Sequence, residues 1–278
     1  MKKYLFIILL VFLLHTTNAY PWLNMGPNQP AAGGVDNYCD SCPDATAGAD
    51  LLCEDFNTGG AAGICSWTVV ETGGADGDIN MAGTPDDNPA LGCTDIDMTY
   101  AGVVTKTSAN SGRAYALKDI SDTDNKYVQF YVKFTAWTIA SGEYVNFASL
   151  KDAAGDPSVY LRVYNSSGTY KLNALIYHDD YISDTQFSGG ITLDTWIGIR
   201  FKVLNPTGTD NDYFRWWTDL NNDGSFTDQS DGGDIATNWT RTMDRMMIGI
   251  TEATTNQMTF QISGFKVDDD TMPTGCTK

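Results

Sequence analysis

The stretch Tyr127-Val-Gln-Phe-Tyr-Val-Lys-Phe134, YVQFYVKF, decides the fold class. Its apolar side chains Val128, Phe130, Val132 and Phe134 alternate with Tyr127, Gln129, Tyr131 and Lys133. Successive side chains of a β-strand point to opposite faces, so alternation over the whole stretch is typical of a strand with one face in the core. It predicts a strand that buries the aliphatic and phenylalanine face and presents the other.

The same alternation recurs in seven further stretches, which begin at Tyr144, Ser158, Tyr170, Thr195, Asp212, Arg245 and Met258. Turn-rich pieces such as AAGDP, NSSG, NPTGTDND and NNDG separate several of them, and no window shows an amphipathic helix of useful length. Many strands at short spacing without helices predict an all-β fold of two packed antiparallel sheets, a β-sandwich of jelly-roll type. Trp216 and Trp217 are adjacent, so only one of them can point into the core.

The ends of the chain carry different signals from this central part. Residues 1–19 have two lysines, an apolar stretch from Tyr4 to Leu14 and a small residue at Ala19, which is typical of a secretory signal peptide. Residues 20–47 are rich in Pro, Gly, Asn and Ala and predict an extended segment that carries cysteines. We therefore expect a secreted, extracellular protein with a β-sandwich over residues 48–272 and a tail over residues 273–278, without membrane insertion.

The charge and the cysteines fit that location. Without Lys2 and Lys3 the chain has 15 basic against 35 acidic residues, a balance that excludes most nucleic-acid ligands, since binding phosphates needs clustered Lys and Arg.

Three disulfides are expected among the cysteines of an exported chain, although spacing alone allows fifteen connectivities. We favour pairing Cys276 with the N-terminal group and Cys65 with Cys93. The cysteines are Cys39, Cys42, Cys53, Cys65, Cys93 and Cys276.

Three short blocks carry a family resemblance. LLCEDFNTGG from Leu51 with CSW from Cys65, LDTWIGIRFKV from Leu193 and FQISGFKVDDD from Phe260 resemble the first, a central and the closing strand of concanavalin A-like, laminin-G-like domains. The resemblance covers about residues 48–272. It implies a jelly roll in which the terminal strands are neighbours, one curved sheet often presents a glycan or protein site, and calcium is frequently bound. It does not imply one activity.

A polar and aromatic face opposite the aliphatic one is the candidate ligand site. Aromatic rings stack on the apolar faces of sugars, and Asn or Arg side chains bond their hydroxyls, so this face favours carbohydrate or another surface ligand. The alternative is structural, since tyrosine is favoured on any half-exposed strand. The candidate residues are Tyr131, Tyr160, Arg162, Tyr164, Asn173, Tyr177 and Arg200.

Catalytic motifs are sparse. The E-x-D-x-x-E acids of glycanases with this fold are absent from the sequence, which favours a non-catalytic module. A polysaccharide lyase acting on anionic glycans is the enzymatic alternative, with Tyr160, Tyr177, His178 and Arg162 as its residues. A structural subunit of an extracellular layer or appendage is the third, because the cysteine-bearing N-terminal segment could pair with a neighbouring chain.

The stretch Asp219 to Asp228, DLNNDGSFTD, predicts either a calcium loop or a tight hairpin turn. Alternate oxygens before Gly224 match the first half of an EF-hand loop, but the twelfth position is Ser230 rather than glutamate. The predicted ligands are Asp219, Asn221, Asp223, the carbonyl of Ser225, and Asp228. A second candidate cation site would join Glu54 and Asp55 to Asp268, Asp269 and Asp270, if the terminal strands are neighbours.

Overall fold

A computed structural model shows an all-β chain. It describes residues 50–54, 68–72, 77–80, 92–93, 101–107, 112–120, 125–177, 182–204, 212–230, 235–237, 243–252, 254–268 and 276–277. All of them belong to one compact unit that spans residues 37–278. The signal peptide predicted for residues 1–19 and the segment predicted for residues 20–47 lie outside the described residues.

The described residues form eighteen strands. They are β1 (Asp50–Glu54), β2 (Thr68–Thr72), β3 (Gly77–Asn80), β4 (Gly92–Cys93), β5 (Gly102–Lys106), β6 (Arg113–Asp119), β7 (Asn125–Thr138), β8 (Tyr144–Lys151), β9 (Pro157–Ser166), β10 (Thr169–Tyr177), β11 (Ile182–Gly190), β12 (Trp196–Leu204), β13 (Asp212–Asp219), β14 (Thr227–Asp228), β15 (Ile235–Thr237), β16 (Arg245–Ile250), β17 (Gln257–Asp268) and β18 (Cys276–Thr277).

The strands form two large antiparallel sheets. The nine-stranded sheet has the order β14-β13-β12-β7-β17-β5-β3, with β1 paired to β17 and β15 paired to β13. The seven-stranded sheet has the order β11-β10-β9-β8-β16-β6-β2. Strands β4 and β18 form a separate pair in which Cys93 and Cys276 are cross-strand partners.

The core lies between the two large sheets and is rich in phenylalanine. The ring of Phe134 on β7 lies 5.3 Å from the ring of Phe147 on β8, and Phe147 lies 6.0 Å from Phe260 on β17. These contacts join the two sheets, because β8 belongs to the seven-stranded sheet and the other two strands to the nine-stranded one. Each fully buried phenylalanine stabilises the fold by about 1.5–3 kcal/mol through removal of apolar surface from water.

The alternation of YVQFYVKF correctly predicts which face of the strand lies in the core. Val128, Phe130, Val132 and Phe134 all belong to the core cluster, and β7 lies between β12 and β17 in the middle of its sheet. Each of the seven other alternating stretches also forms a strand within a residue or two of its predicted start. Trp216 is buried in the core while Trp217 is half-buried outside it, as adjacency requires.

Strands β1 and β17 are neighbours, as the family resemblance implies. They run antiparallel, with Asp50 opposite Asp268 and Glu54 opposite Phe265. Among the described residues, no helix is long and apolar enough to cross a membrane.

Candidate functional site

The face of the seven-stranded sheet that points away from the core carries a group of aromatic rings. Val159, Leu161 and Val163 of β9 belong to the core cluster, so Tyr160, Arg162 and Tyr164 between them point to the opposite side. The same alternation on β10 places Asn173, Leu175 and Tyr177 on that side. We call the surface formed by Tyr144, Tyr160, Tyr164, Tyr177 and Phe187 the tyrosine face.

Strand register aligns its polar groups in a row. Asn146 of β8 is opposite Arg162 of β9, Arg162 is opposite Asn173 of β10, and Asn173 is opposite Phe187 of β11. Neighbouring strands lie about 4.8 Å apart, so this row is about 14 Å long. From Tyr160 to Tyr164 the face extends about 13 Å along β9 at the usual rise per residue. That surface has the dimensions of a short oligosaccharide rather than of a single small ion.

The rings are arranged in pairs around the row. The ring centres of Tyr160 and Tyr177 are 5.6 Å apart, and those of Tyr164 and Phe187 are 5.5 Å apart. The guanidinium carbon of Arg162 lies 4.4 Å from the ring centre of Tyr144. Tyr144 and Phe187 are 40% and 42% exposed, so two rings are accessible to a ligand at opposite ends of the row.

The polar groups of the row are held in fixed positions. Arg162 Nε donates a hydrogen bond to Asn173 Oδ1, and Asn173 is fully buried. Asn146 is only 4% exposed, and its Oδ1 has no hydrogen-bond partner among the described residues. A buried amide oxygen without a hydrogen-bond partner destabilises the fold unless a ligand or a water molecule donates a hydrogen bond to it. A cavity of about 140 Å³ next to it is lined by Glu143, Tyr144, Val145, Asn146, Glu252 and Thr254.

Glu252 is the acidic group that acts on the phenols of this surface. Burial is the main cause that raises the pKa of Tyr160 well above its ordinary value of 10.0, and a hydrogen bond to Glu252 and its charge add to the shift. Burial and Glu252 also raise the pKa of Tyr177. Both phenols are therefore protonated at neutral pH and can donate hydrogen bonds, whereas neither is available as a base.

Two cations of the face have shifted pKa values. Burial lowers the pKa values of Arg162 and Lys151, and the charge of Glu252 opposes both shifts. Lys151 Nζ lies 5.3 Å from the ring centre of Tyr160. Sequence reasoning missed Glu252, Lys151 and Asn146. Glu252 lies in the polar stretch TEATTN after β16, where no periodicity distinguishes it from an ordinary loop acid.

The structure brings together five of the seven predicted ligand residues, Tyr160, Arg162, Tyr164, Asn173 and Tyr177. The prediction of one shared face is wrong for Tyr131 and Arg200, which lie on β7 and β12 of the nine-stranded sheet. Tyr131 is fully buried against Phe226, and the guanidinium of Arg200 lies 3.8 Å from the same ring. The predicted lyase residue His178 lies outside the described residues.

Gly198 explains why the outer face of the nine-stranded sheet is covered at Tyr131 and Arg200. A Cβ atom at position 198 would lie 2.7 Å from Phe226 Cζ and 2.9 Å from Tyr131 Cε1. Glycine therefore makes room for Phe226, and the loop between β13 and β14 packs its aromatic ring onto this sheet. Alternation shows which side chains leave the core, but not which outer face a loop then covers.

The predicted calcium ligands lie in and beside the loop between β13 and β14. Asn221, Asp223 and Ser225 lie in the loop, whereas Asp219 is the last residue of β13 and Asp228 belongs to β14. Trp217 opposite Asp228 shows the hairpin pairing that the sequence suggests. Gly224 has a φ of 84°, as the turn requires. Asp228 is paired with Arg215, whose Nε donates to its Oδ2 at 2.9 Å. Calcium binding by this loop stays a prediction.

Of the second candidate cation site, only Glu54 and Asp268 lie within the described residues. Because β1 and β17 are antiparallel, Glu54 is opposite Phe265 while Asp268 is opposite Asp50. Glu54 and Asp268 are thus about 13 Å apart along the strands and do not converge. Asp55, Asp269 and Asp270 lie outside the described residues, within which no group of three or more His, Cys, Asp or Glu side chains could hold a metal ion.

Comparison with known proteins gives fold-level likeness only. A carbohydrate esterase from the Shiga toxin-encoding bacteriophage phi24B is 11% identical with a TM-score of 0.49, and the match covers 81% of this chain and 100% of the esterase. Cellulose induced protein Cip1 is 13% identical with a TM-score of 0.48, over 75% and 94% of the two chains.

An alginate lyase from a Chlorella virus is 10% identical with a TM-score of 0.42, over 73% of this chain and 93% of the lyase. No protein-family model and no curated protein sequence matches the chain. At these identities and scores the likenesses do not assign the chain to a family, so its function has to be argued from its own residues.

Proposed function

We propose that the tyrosine face binds a carbohydrate chain without chemical conversion. The observation that carries this proposal is the pair of exposed rings, Tyr144 and Phe187, at the two ends of the row Asn146–Arg162–Asn173. Sugars present apolar C–H faces and polar hydroxyls side by side, and this surface offers aromatic rings next to fixed polar groups.

The charges support a glycan that carries carboxylates over a neutral one. Lys151, Arg162 and Lys171 lie on or beside the tyrosine face, in a chain whose net charge is −18. Lys171 Nζ lies 5.9 Å from the ring centre of Phe187, so a cation stands beside each exposed ring. Arginine held in position by Asn173 is well suited to a planar carboxylate, because its N–H donors form a rigid fork.

The test is a glycan array followed by calorimetry on the best ligand, with the double variant Tyr144→Ala, Phe187→Ala. We expect a loss of affinity of about five- to 150-fold in the double variant, since each stacking ring contributes about 0.5–1.5 kcal/mol. Leu193→Ala is the matched control, because Leu193 is a similarly exposed apolar side chain that lies in the turn between β11 and β12. Absence of binding to any neutral or acidic glycan, or equal affinity in the double variant, would contradict the proposal.

The lyase alternative keeps one favourable observation. Tyr160, Tyr177 and Arg162 share the tyrosine face, so a phenol and a cation able to neutralise a uronate are close together. The raised pKa values of both phenols keep them protonated, which disfavours either of them as the base that abstracts a proton. The reaction would need a base that those two side chains do not provide at neutral pH, and this places the non-catalytic proposal first.

A further inference from the structure

A groove of about 750 Å³ lies on a different part of the sandwich from the tyrosine face. Its walls come from the end of β11 at Gly189 and Gly190, the turn that follows, the start of β12 at Ile197 and the loop between β13 and β14. A Cβ atom at Gly189 would lie 3.2 Å from Leu220 Cδ1, so backbone and Leu220 form a close wall there. Pockets of this volume accept small organic ligands.

The side chains of the groove select the chemistry of its occupant. Five lining residues carry hydroxyl groups, two carry amides and one, Asp223, carries a carboxylate, whereas the lining includes neither Lys nor Arg. Such a lining disfavours an anion. Three apolar residues, Ile191, Ile197 and Leu220, are too few for a mainly apolar ligand. One carboxylate is also fewer than the oxygen cage of a divalent cation requires.

Thr218 gives an independent indication of a ligand. It lines the groove, is 1% exposed, and its Oγ1 has no hydrogen-bond partner among the described residues. A buried hydroxyl without a partner destabilises a fold unless something bonds to it. It lies near the end of β13 opposite the core residue Ile199, so its side chain points to the inner side of the sheet rather than to the outer face.

From these observations we propose that the groove is a second binding site, for a neutral sugar residue. A sugar supplies hydroxyl donors and acceptors for the Thr, Ser, Asn and Gln side chains and a hydroxyl partner for Thr218. Its apolar face can contact Leu220. This site is separate from the proposed carboxylate-bearing glycan of the tyrosine face and uses none of its residues.

Saturation-transfer NMR with the methyl glycosides of glucose, galactose, mannose and xylose tests the proposal. We expect transfer to at least one glycoside with the wild type and its loss with Ser225→Trp, because Ser225 is exposed on the groove wall and a tryptophan there would fill it. Ala154→Trp is the control, since Ala154 is exposed and does not line the groove. No transfer to any glycoside, or the same transfer with Ser225→Trp, overturns the proposal.

Two further variants separate this site from the tyrosine face and from a purely structural role. Tyr144→Ala with Phe187→Ala should leave the saturation transfer unchanged, and its loss there would instead assign the glycoside to the tyrosine face. Thr218→Val keeps the side-chain shape and removes the hydroxyl. We expect about tenfold weaker glycoside binding with an unchanged or higher Tm, because an unpartnered hydroxyl is removed. Unchanged affinity in Thr218→Val would overturn the contact with Thr218.

Discussion

Replacing Asp219 should loosen the loop between β13 and β14. The residue is 1% exposed, and its carboxylate accepts three backbone hydrogen bonds. Asn221 N and Asp223 N donate to Oδ1 at 3.3 and 3.2 Å, and Gly224 N donates to Oδ2 at 2.8 Å. The side chain thus satisfies backbone donors in a loop where Asn222 and Gly224 both have positive φ.

The expected loss follows from these distances. A hydrogen bond to a charged group contributes about 1.5–3 kcal/mol, but the two longer bonds are weak and water can reach Asp223 once the carboxylate is gone. We therefore expect Asp219→Ala to lower the free energy of unfolding by about 3 kcal/mol. For a domain of this size that corresponds to a fall in Tm of about 6–12 °C. Asp219→Asn, which keeps one oxygen acceptor, should lose about half as much.

Asp223→Asn is the matched control in thermal melts followed by circular dichroism with chelator present. Asp223 is exposed, and the hydrogen bond that its Oδ1 accepts from Ser225 N at 2.8 Å can also be made by asparagine. Its Tm should stay within about 1 °C of the wild type, as for most surface substitutions. If the Tm of Asp219→Ala equals that of Asp223→Asn, the Asp219 carboxylate does not hold the loop and the reasoning is wrong.

The same proteins test the calcium hypothesis. An ion that binds only the folded state adds about 2.7 kcal/mol at a hundredfold excess over its dissociation constant. The wild-type Tm should then rise by about 5–11 °C in calcium, and Asp223→Asn should lose that rise without losing stability in chelator. Equal wild-type Tm values in millimolar calcium and in chelator would leave the loop a hairpin turn only.

Four further predictions concern other parts of the molecule. Gly249→Ala should prevent folding or lower the free energy of unfolding by more than about 4 kcal/mol, because the φ of Gly249 is 119° and a Cβ atom there would lie 2.3 Å from Ala114 O. The yield of soluble protein and thermal melting test this. Peptide mapping without reductant should find Cys93 joined to Cys276, since cross-strand register places their Cα atoms within disulfide range. A Cys65–Cys93 peptide would contradict this. The free energy of unfolding should fall as the pH rises above about 10, because the pKa of Tyr160 is higher in the folded protein than the value of about 10 in the unfolded chain. Alkaline denaturation curves of Tyr160→Phe should show a smaller fall. Incubation with alginate, glucuronan or glycosaminoglycans should give no rise in ultraviolet absorbance, whereas an unsaturated product that Tyr160→Phe abolishes would establish the lyase alternative.

Strands with strong alternation could be predicted from the sequence, and weaker ones could not. In β9 and β12, Val, Leu, Ile and Phe alternate with polar residues, so the core face is evident in the letters. Strand β11, ISDTQFSGG, is an edge strand with two glycines and few apolar residues, and β6 contributes Ala114 and Ala116 to the core, which are too small to produce a clear pattern. An alternating sequence pattern therefore identifies strands whose buried side chains are large, and it misses strands whose buried side chains are small.

The candidate site was predictable where it lies on alternating strands. Tyr160, Arg162 and Tyr164 follow from β9 alone, because a residue between two core residues must point outward. Glu252 and Asn146 could not be predicted. Glu252 reaches Tyr160 from a loop after β16, and Asn146 adjoins an irregularity in the β8–β9 register that changes the alternation of β8 after it. Contacts between strands distant in sequence depend on strand order, which no local pattern specifies.

The two outer faces of the sandwich begin from the same sequence pattern and end in different states. Tyr131 and Arg200 alternate with core residues as regularly as Tyr160 and Arg162 do. On the nine-stranded sheet, Gly198 leaves a space that Phe226 fills, and Tyr131 and Arg200 become contacts of the β13–β14 loop. On the seven-stranded sheet, Tyr144 and Phe187 stay open to a ligand. The loop that carries Phe226 is held by Asp219 at the end of β13 and forms one wall of the second groove, so its conformation determines both which face it closes and whether the groove exists. A substitution that loosens this loop should therefore weaken sugar binding in the groove while leaving glycan binding on the tyrosine face intact, because the two sites share no residue.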